Sequence, residues 1–511
     1  MRIGKPRRSA FRPFIWLFVS LALLALLSAP GATHDEMFHA TNIWCGQGQR
    51  LPYCSDIRVD IEHPSARVNF DFLRCQRNVY EPLECPSDNS GVSYRSINPY
   101  NLYPSLPWSK HATPHSFVLS WFVVPSFEGS LILTRVASAA IVVLLLGILA
   151  QLLPNHHQKV LFLVIILVLP STGYFLMSSI NPSSWTIFGT GFAWIALHAA
   201  LSSEAMSLRR RWGLIGVCVL CTLMALGSRW DAWGFVMLAL SLVGMEVAWN
   251  KYRRFRKATL VIAVVAPPTL WFSFAKINPI SPRLFDVLVS HTDEQPNNAE
   301  FLTTYLLNGT PNALEALGTL PTTTLVRVPD LVFFVNVIVL VTLLYLSRTP
   351  KSRSQIGGTL VALFTMSVMI MAQVALIDNR DNEGIEPRYS LPLLAFAVGW
   401  WFLHAAPAAI GRILLRLTAL AWVITASFGL TALIVVERFA DVQTAGIRFI
   451  PEGPDQWWWS SLPVGPNTVT ILCTLSFAMF LHKAVALMTG DEDNGPTKNS
   501  EIGTSEASVT N

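Results

Sequence analysis

Apolar runs long enough to cross a bilayer recur through most of this chain, and no other feature constrains it as tightly. The hydrocarbon core takes about 20 apolar residues per helix. Backbone groups in lipid find no water, so they must bond within their own segment, which leaves helices for such runs. About twelve runs meet the length rule. They are roughly Phe14–Ser28, Leu131–Leu153, Val160–Met177, Trp185–Leu201, Trp212–Leu226, Trp233–Trp249, Leu260–Phe274, Leu331–Leu346, Gly358–Ile377, Leu391–His404, Ile413–Val435 and Val469–Met488. Composition agrees: the 511 residues are 52% hydrophobic and 14% charged, where a soluble chain carries roughly a quarter charged residues. Mean hydropathy is +0.44. The sequence reads as an all-α polytopic membrane protein.

The first run follows Arg2, Lys5, Arg7, Arg8 and Arg12. A basic start with a short apolar core also describes a signal peptide, and "LLSAPGA" is a passable cleavage site. A retained anchor is preferred, because the later charge pattern closes only if this segment counts as a span. Alternate loops carry Arg209-Arg210-Arg211, then Lys251/Arg253/Arg254/Arg256/Lys257, then Arg348/Lys351/Arg353, then Arg412/Arg416. Short basic loops face the cytoplasm, so both termini are expected inside. The expected organisation is a single transmembrane domain over residues 1–489 with a large first extracytoplasmic loop at about 30–130 and a second at about 278–330. Residues 490–511 are acidic, Ser/Thr-rich and without apolar periodicity, which predicts a disordered cytoplasmic tail. Prolines at 170 and 267–268 predict kinks. The net charge of +5 is accounted for by these loops and points to membrane lipids rather than nucleic acid.

Cys45, Cys54, Cys75 and Cys85 all fall in the first outer loop. Four cysteines in one exported segment are disulfide candidates with three possible pairings. Zinc is the rival reading, but the spacings are not paired CxxC. Cys218, Cys221 and Cys473 lie in expected spans and read as packing residues.

The expected spans are almost free of ionisable groups; Arg135 lies near the outer start of the second and Glu246 near the inner end of the sixth. Polar residues gather at the outer boundary instead, which favours chemistry at a membrane surface over passage through it. "HDEMFHATNIWC" begins just after the first span. If it opens with a helix, Met37, Ala40, Ile43 and Trp44 can face lipid or protein, and Asp35 shares a face with His39 at i and i+4. Such a carboxylate can act as a general base or hold a divalent cation; equally, acids cap a juxtamembrane helix. Arg388 opens the tenth span and can grip a phosphate, or anchor a helix end. Its neighbour Tyr389 is an ordinary interface residue on its own. Asn181 and Ser183 are placed to cap the fourth span, and Arg229 can pair with Asp231. The aromatic "NPYNLYPSLPW" and "DQWWWSS" suit a headgroup-level belt or sugar stacking.

Taken in order, these features resemble the GT-C class of integral-membrane glycosyltransferases. More narrowly, they resemble a bacterial family of predicted membrane proteins labelled as a domain of unknown function. The matching residues are Asp35, Glu36 and His39, then "NPYNLYP", Arg135 with Ser138, Asn181-Pro182-Ser183, Ser228-Arg229, and Arg388-Tyr389 with Leu391-Pro392. Met37 and Trp230 depart from the family pattern. The resemblance implies a multi-pass protein of a bacterial plasma membrane that takes a polyprenyl-phosphate-linked sugar as donor and a cell-envelope glycan or lipid-linked sugar as acceptor. It implies Asp35 as catalytic base and Glu36 as its support, the two also being the residues to hold a divalent cation. Arg388 would bind the donor phosphate, with Arg229 beside it. A transporter or flippase of an envelope precursor, and a non-catalytic membrane scaffold, are the competing expectations.

Overall fold

The computed structural model describes residues 10–28, 33, 36, 39, 40, 43, 113–124, 127–169, 172–204, 206–229, 232–251, 319, 320, 326, 327, 330–348, 359, 391–439 and 464–489. Among them run α1 (Arg12–Leu27), α2 (Pro114–Ser120), α3 (Phe127–Leu152), α4 (Asn155–Val168), α5 (Thr172–Met177), α6 (Ser183–Ser202), α7 (Leu208–Ser228) and α8 (Ala232–Lys251). They are followed by α9 (Asp330–Leu346), α10 (Leu391–Leu403), α11 (Pro407–Phe439) and α12 (Pro466–Thr489). One antiparallel pairing of β1 (Thr319–Leu320) with β2 (Val326–Arg327) is the only extended structure among the described residues. The helical expectation holds. The expected seventh span, all of the ninth but Thr359, and the tail lie outside the described residues.

Among the described residues, five helices are long and apolar enough to cross a membrane: Gly129–Leu152, Leu208–Ser228, Ala232–Lys251, Pro407–Val436 and Pro466–Thr489. Their outward faces carry large apolar side chains. Trp422 is 77% exposed and Leu415 73%, and Trp212, Leu223 and Leu475 are exposed as well. Rows like these on a folded surface need an apolar surrounding, and lipid supplies it.

The expected third span divides. α4 stops at Val168 and α5 starts at Thr172, with Pro170 between them. A proline cannot donate to the helical ladder and crowds the preceding turn. Tyr174 rejoins the two pieces: its hydroxyl donates to the Ile165 carbonyl at 2.8 Å and its N–H to the Leu169 carbonyl at 2.9 Å.

The helix α6 sits at the centre. Almost every residue from Ser183 to Ala200 is buried, so its hydroxyls and His198 meet protein rather than lipid. Small residues let its neighbours come close. A Cβ at Gly189 would lie 2.3 Å from the Cys221 carbonyl oxygen of α7. One at Gly399 of α10 would lie 2.5 Å from the Trp194 ring. Without a hydrophobic drive between helices in lipid, such close backbone approach supplies the packing energy. α1 packs antiparallel on α12, where the Ser20 hydroxyl donates to the Cys473 carbonyl at 3.3 Å and Phe14 stacks on Phe162 of α4. Cys218, Cys221 and Cys473 are free and buried, as expected for packing residues.

One of the basic residues also joins two helices. Arg210 donates to the Leu152 and Leu153 carbonyls at 2.5 and 2.6 Å. It thus satisfies the orphan carbonyls at the C-terminus of α3, where a cation also complements the helix dipole.

Candidate functional site

Glu36, His39, Ala40 and Ile43 are helical. Glu36, Ala40 and Ile43 recur at i, i+4 and i+7 and all three are fully buried, whereas His39 is half-buried. The segment after the first span therefore opens with an amphipathic turn pressed against protein, as Ala40 and Ile43 foretold. Asp35 lies outside the described residues.

Glu36 faces Arg135 from the N-terminal half of α3. The Arg135 Nε donates to Glu36 Oε1 at 2.9 Å and Nη2 to Oε2 at 2.6 Å, a bidentate pair with both side chains at 0% exposure. The remaining Nη1 donates to the carbonyls of Ala25, at 2.9 Å, and Ser28. One guanidinium thus holds the acidic turn, the C-terminal end of α1 and α3 together. A buried pair survives desolvation only with this kind of geometry and with its other donors satisfied.

The other outer residues meet the same region. Asn181 Oδ1 accepts from the Ser183 N–H at 2.9 Å, an Asx-type contact just before α6, whose N-cap position is Pro182 and carries no side-chain cap. Arg229, half-buried just after α7, donates from Nη1 to Ser183 Oγ at 3.2 Å. Thr186 and Ser228 pair through their hydroxyls at 2.8 Å. A small apolar cluster of Ala40, Ile43, Leu119, Leu131, Ala137 and Ile180 lies beneath. It joins the acidic turn, α2, the start of α3 and the residue before Asn181. Arg388, Tyr389, Asp231 and the four loop cysteines lie outside the described residues.

Sequence reasoning passed over His115. It lies in α2, which Thr113 caps by accepting from the Ser116 N–H at 3.2 Å. Pro114 is seated against Gly227, where a Cβ would lie 2.9 Å from the proline ring. His115 is fully buried, with no partner for either ring nitrogen, and its ring meets Trp185 at 4.8 Å, edge to face. The Trp185 indole N–H is also unpartnered. Burial pushes the His115 imidazole down to about 3, so it stays neutral. Two unpaired polar groups therefore meet here, Trp185 two residues after Ser183 in α6 and His115 next to the proline seated on α7. Only the position of His115 late in the first loop, beside the spans' outer ends, hinted at this. Among the described residues, no group of three or more His, Cys, Asp or Glu is disposed to hold a metal ion.

A second polar cluster occupies the opposite end of the bundle, where His157, His198 and His404 surround Glu246. The sequence signal was weak but present. Each of these residues lies near the inner end of an expected span, and only a drawn topology brings them to one side.

A helical bundle with apolar outer rows and polar clusters confined to its ends defines a multi-pass membrane protein. The family model described as "Predicted membrane protein (DUF2142)" matches residues 18–397, and the chain belongs to that family. The match takes in the acidic turn, Arg135, Asn181 and Arg229, and stops inside α10. No curated protein and no solved structure matches the chain.

Proposed function

We propose that this protein is a GT-C-type glycosyltransferase of a bacterial plasma membrane, with about twelve spans and both termini inside. It takes a sugar from a polyprenyl-phosphate donor and adds it to a cell-envelope glycan or lipid-linked acceptor on the outer face. The observation that carries this reading is the convergence of separate motifs on one end of the bundle. The acidic turn, Arg135, Asn181 and Arg229 come from segments up to about two hundred residues apart in sequence, yet Ala40, Ala137 and Ile180, near the first three in the chain, share one small apolar cluster, and Arg229 reaches Ser183.

In this reading Asp35 is the base that takes the acceptor hydroxyl proton. Glu36 does not touch substrate; bound to Arg135, it positions the turn that carries Asp35. Arg388, with Tyr389 and Arg229, holds the donor phosphate, whose departure is eased by fixed cationic charge. His115 and Trp185 offer further donors beside Arg229. A divalent cation would use Asp35.

Deletion of the gene, envelope-glycan profiling by mass spectrometry, and restoration at matched membrane levels test the reading. One glycan species should vanish and return with wild type but not with Asp35→Asn or Arg388→Ala. Full restoration by both variants would sink it. A transporter reading draws on the Glu246 cluster, because buried ionisable groups in a bundle mark ion pathways. It predicts an unchanged sugar content with the lipid-linked precursor trapped on the inner face.

A further inference from the structure

The cluster around Glu246 has no part in the proposed transfer chemistry, yet it links four helices. His157 from the first turn of α4 places Nε2 2.9 Å from His198 Nδ1 on α6. His198 Nε2 lies 3.4 Å from Glu246 Oε2 on α8. Glu246 Oε1 lies 2.5 Å from His404 Nε2, just past the end of α10. His404 Nδ1 in turn lies 2.9 Å from the Trp400 carbonyl oxygen.

The donors and acceptors fix where protons must be. A carbonyl oxygen only accepts, so His404 Nδ1 carries a hydrogen. A bare nitrogen lone pair would repel a carboxylate oxygen at 2.5 Å, so a second proton lies between His404 Nε2 and Glu246. A ring that donates from both nitrogens is an imidazolium, so His404 and the Glu246 carboxylate share one exchangeable proton in a mostly buried setting. The chain continues from His198 to His157, whose Nδ1 is buried without a partner and is open to a proton. The groups facing Glu246 are His198 from α6 and His404 from the end of α10. Behind them stand His157 and His156 from α4, with Lys159 near His156. His156 Nε2 donates to the Leu403 carbonyl at 2.8 Å, tying α4 to the same end of α10. Among the described residues no other acid takes part, so Glu246 is the counter-charge for the cluster.

We infer that Glu246, His404, His198 and His157 form a proton-binding site that clamps the inner end of α10 onto α6 and α8. With the proton present, carboxylate and imidazolium attract across the helix ends. Its loss leaves a buried carboxylate facing neutral rings, and the clamp weakens. The helix so held follows directly on Arg388 and Tyr389 in the chain. A consequence for donor binding rests on the function proposed above; the proton site itself does not.

The test uses full-length protein in detergent micelles or lipid nanodiscs. Thermal midpoints of wild type and Glu246→Gln are compared across about pH 5 to pH 9, the range in which histidine changes charge. Wild type should be the more stable by several degrees at the acid end, and the gap should close as the pH rises. In parallel, nitrogen-15 histidine spectra of wild type should show one ring protonated on both nitrogens at neutral pH, and that signature should be absent from His404→Gln. A gap that does not change with pH, or spectra with every ring neutral, would overturn the proposal. So would a rise in wild-type stability on adding Zn²⁺ that Glu246→Gln abolishes, which would make the cluster a metal site.

Discussion

At the scale of single residues, Arg135 and His115 show two opposite ways of burying a polar group. Arg135 has carboxylate and carbonyl partners. Removing one side of such a pair strands a buried charge and costs about 3–5 kcal/mol. Glu36→Gln should therefore lower the unfolding midpoint of purified protein sharply, while Asp35→Asn leaves it near wild type. Equal losses for both would refute the division of labour between the two acids. His115 has no partners, and its stability effect has a sign. Its folded value of about 3 lies below the unfolded 6.5, so the unfolded chain binds more protons between them. The contribution is complete above about pH 6.5 and is lost as the pH falls, by about 2 kcal/mol at pH 5. A pH series comparing wild type with His115→Phe should show this loss in wild type alone. Of these residues, the sequence marked Glu36 and Arg135 separately through the motif order, but not their pairing, since 99 positions separate them. Nothing local announces that a histidine in a short loop helix will be sealed from water.

At the scale of elements, the spans were readable and their embrace was not. Length and hydropathy are local properties, so the described helices that correspond to expected spans begin and end within about six residues of expectation, and the break between α4 and α5 falls at Pro170, where proline chemistry requires it. Which faces meet depends on small residues whose meaning is set by a distant partner. Gly189 is the clearest case, because the obstacle to any side chain there is the Cys221 backbone carbonyl, which cannot swing aside. Gly189→Leu should separate α6 from α7 and yield aggregated or protease-sensitive protein. Gly216→Leu, whose added Cβ meets nothing within 4 Å, should be tolerated. Size-exclusion profiles of the two variants at equal expression make the comparison.

At the scale of the whole molecule, the charge pattern of the loops predicts sidedness, and fusions can read it. Alkaline phosphatase joined after Arg229 should be active and after Lys251 inactive, with a fluorescent protein giving the reverse; any other pattern redraws the topology. The helix α6 adds a consequence of its own. Its polar groups are covered from both directions along the chain: His157 of α4 meets His198 from before, while Ser228 of α7 meets Thr186 and Glu246 of α8 meets His198 from after. While the ribosome is still making α7 and α8, Thr186 and His198 therefore lack part of their cover. Nascent chains that stop after α6 should be more readily degraded than chains that reach the end of α8.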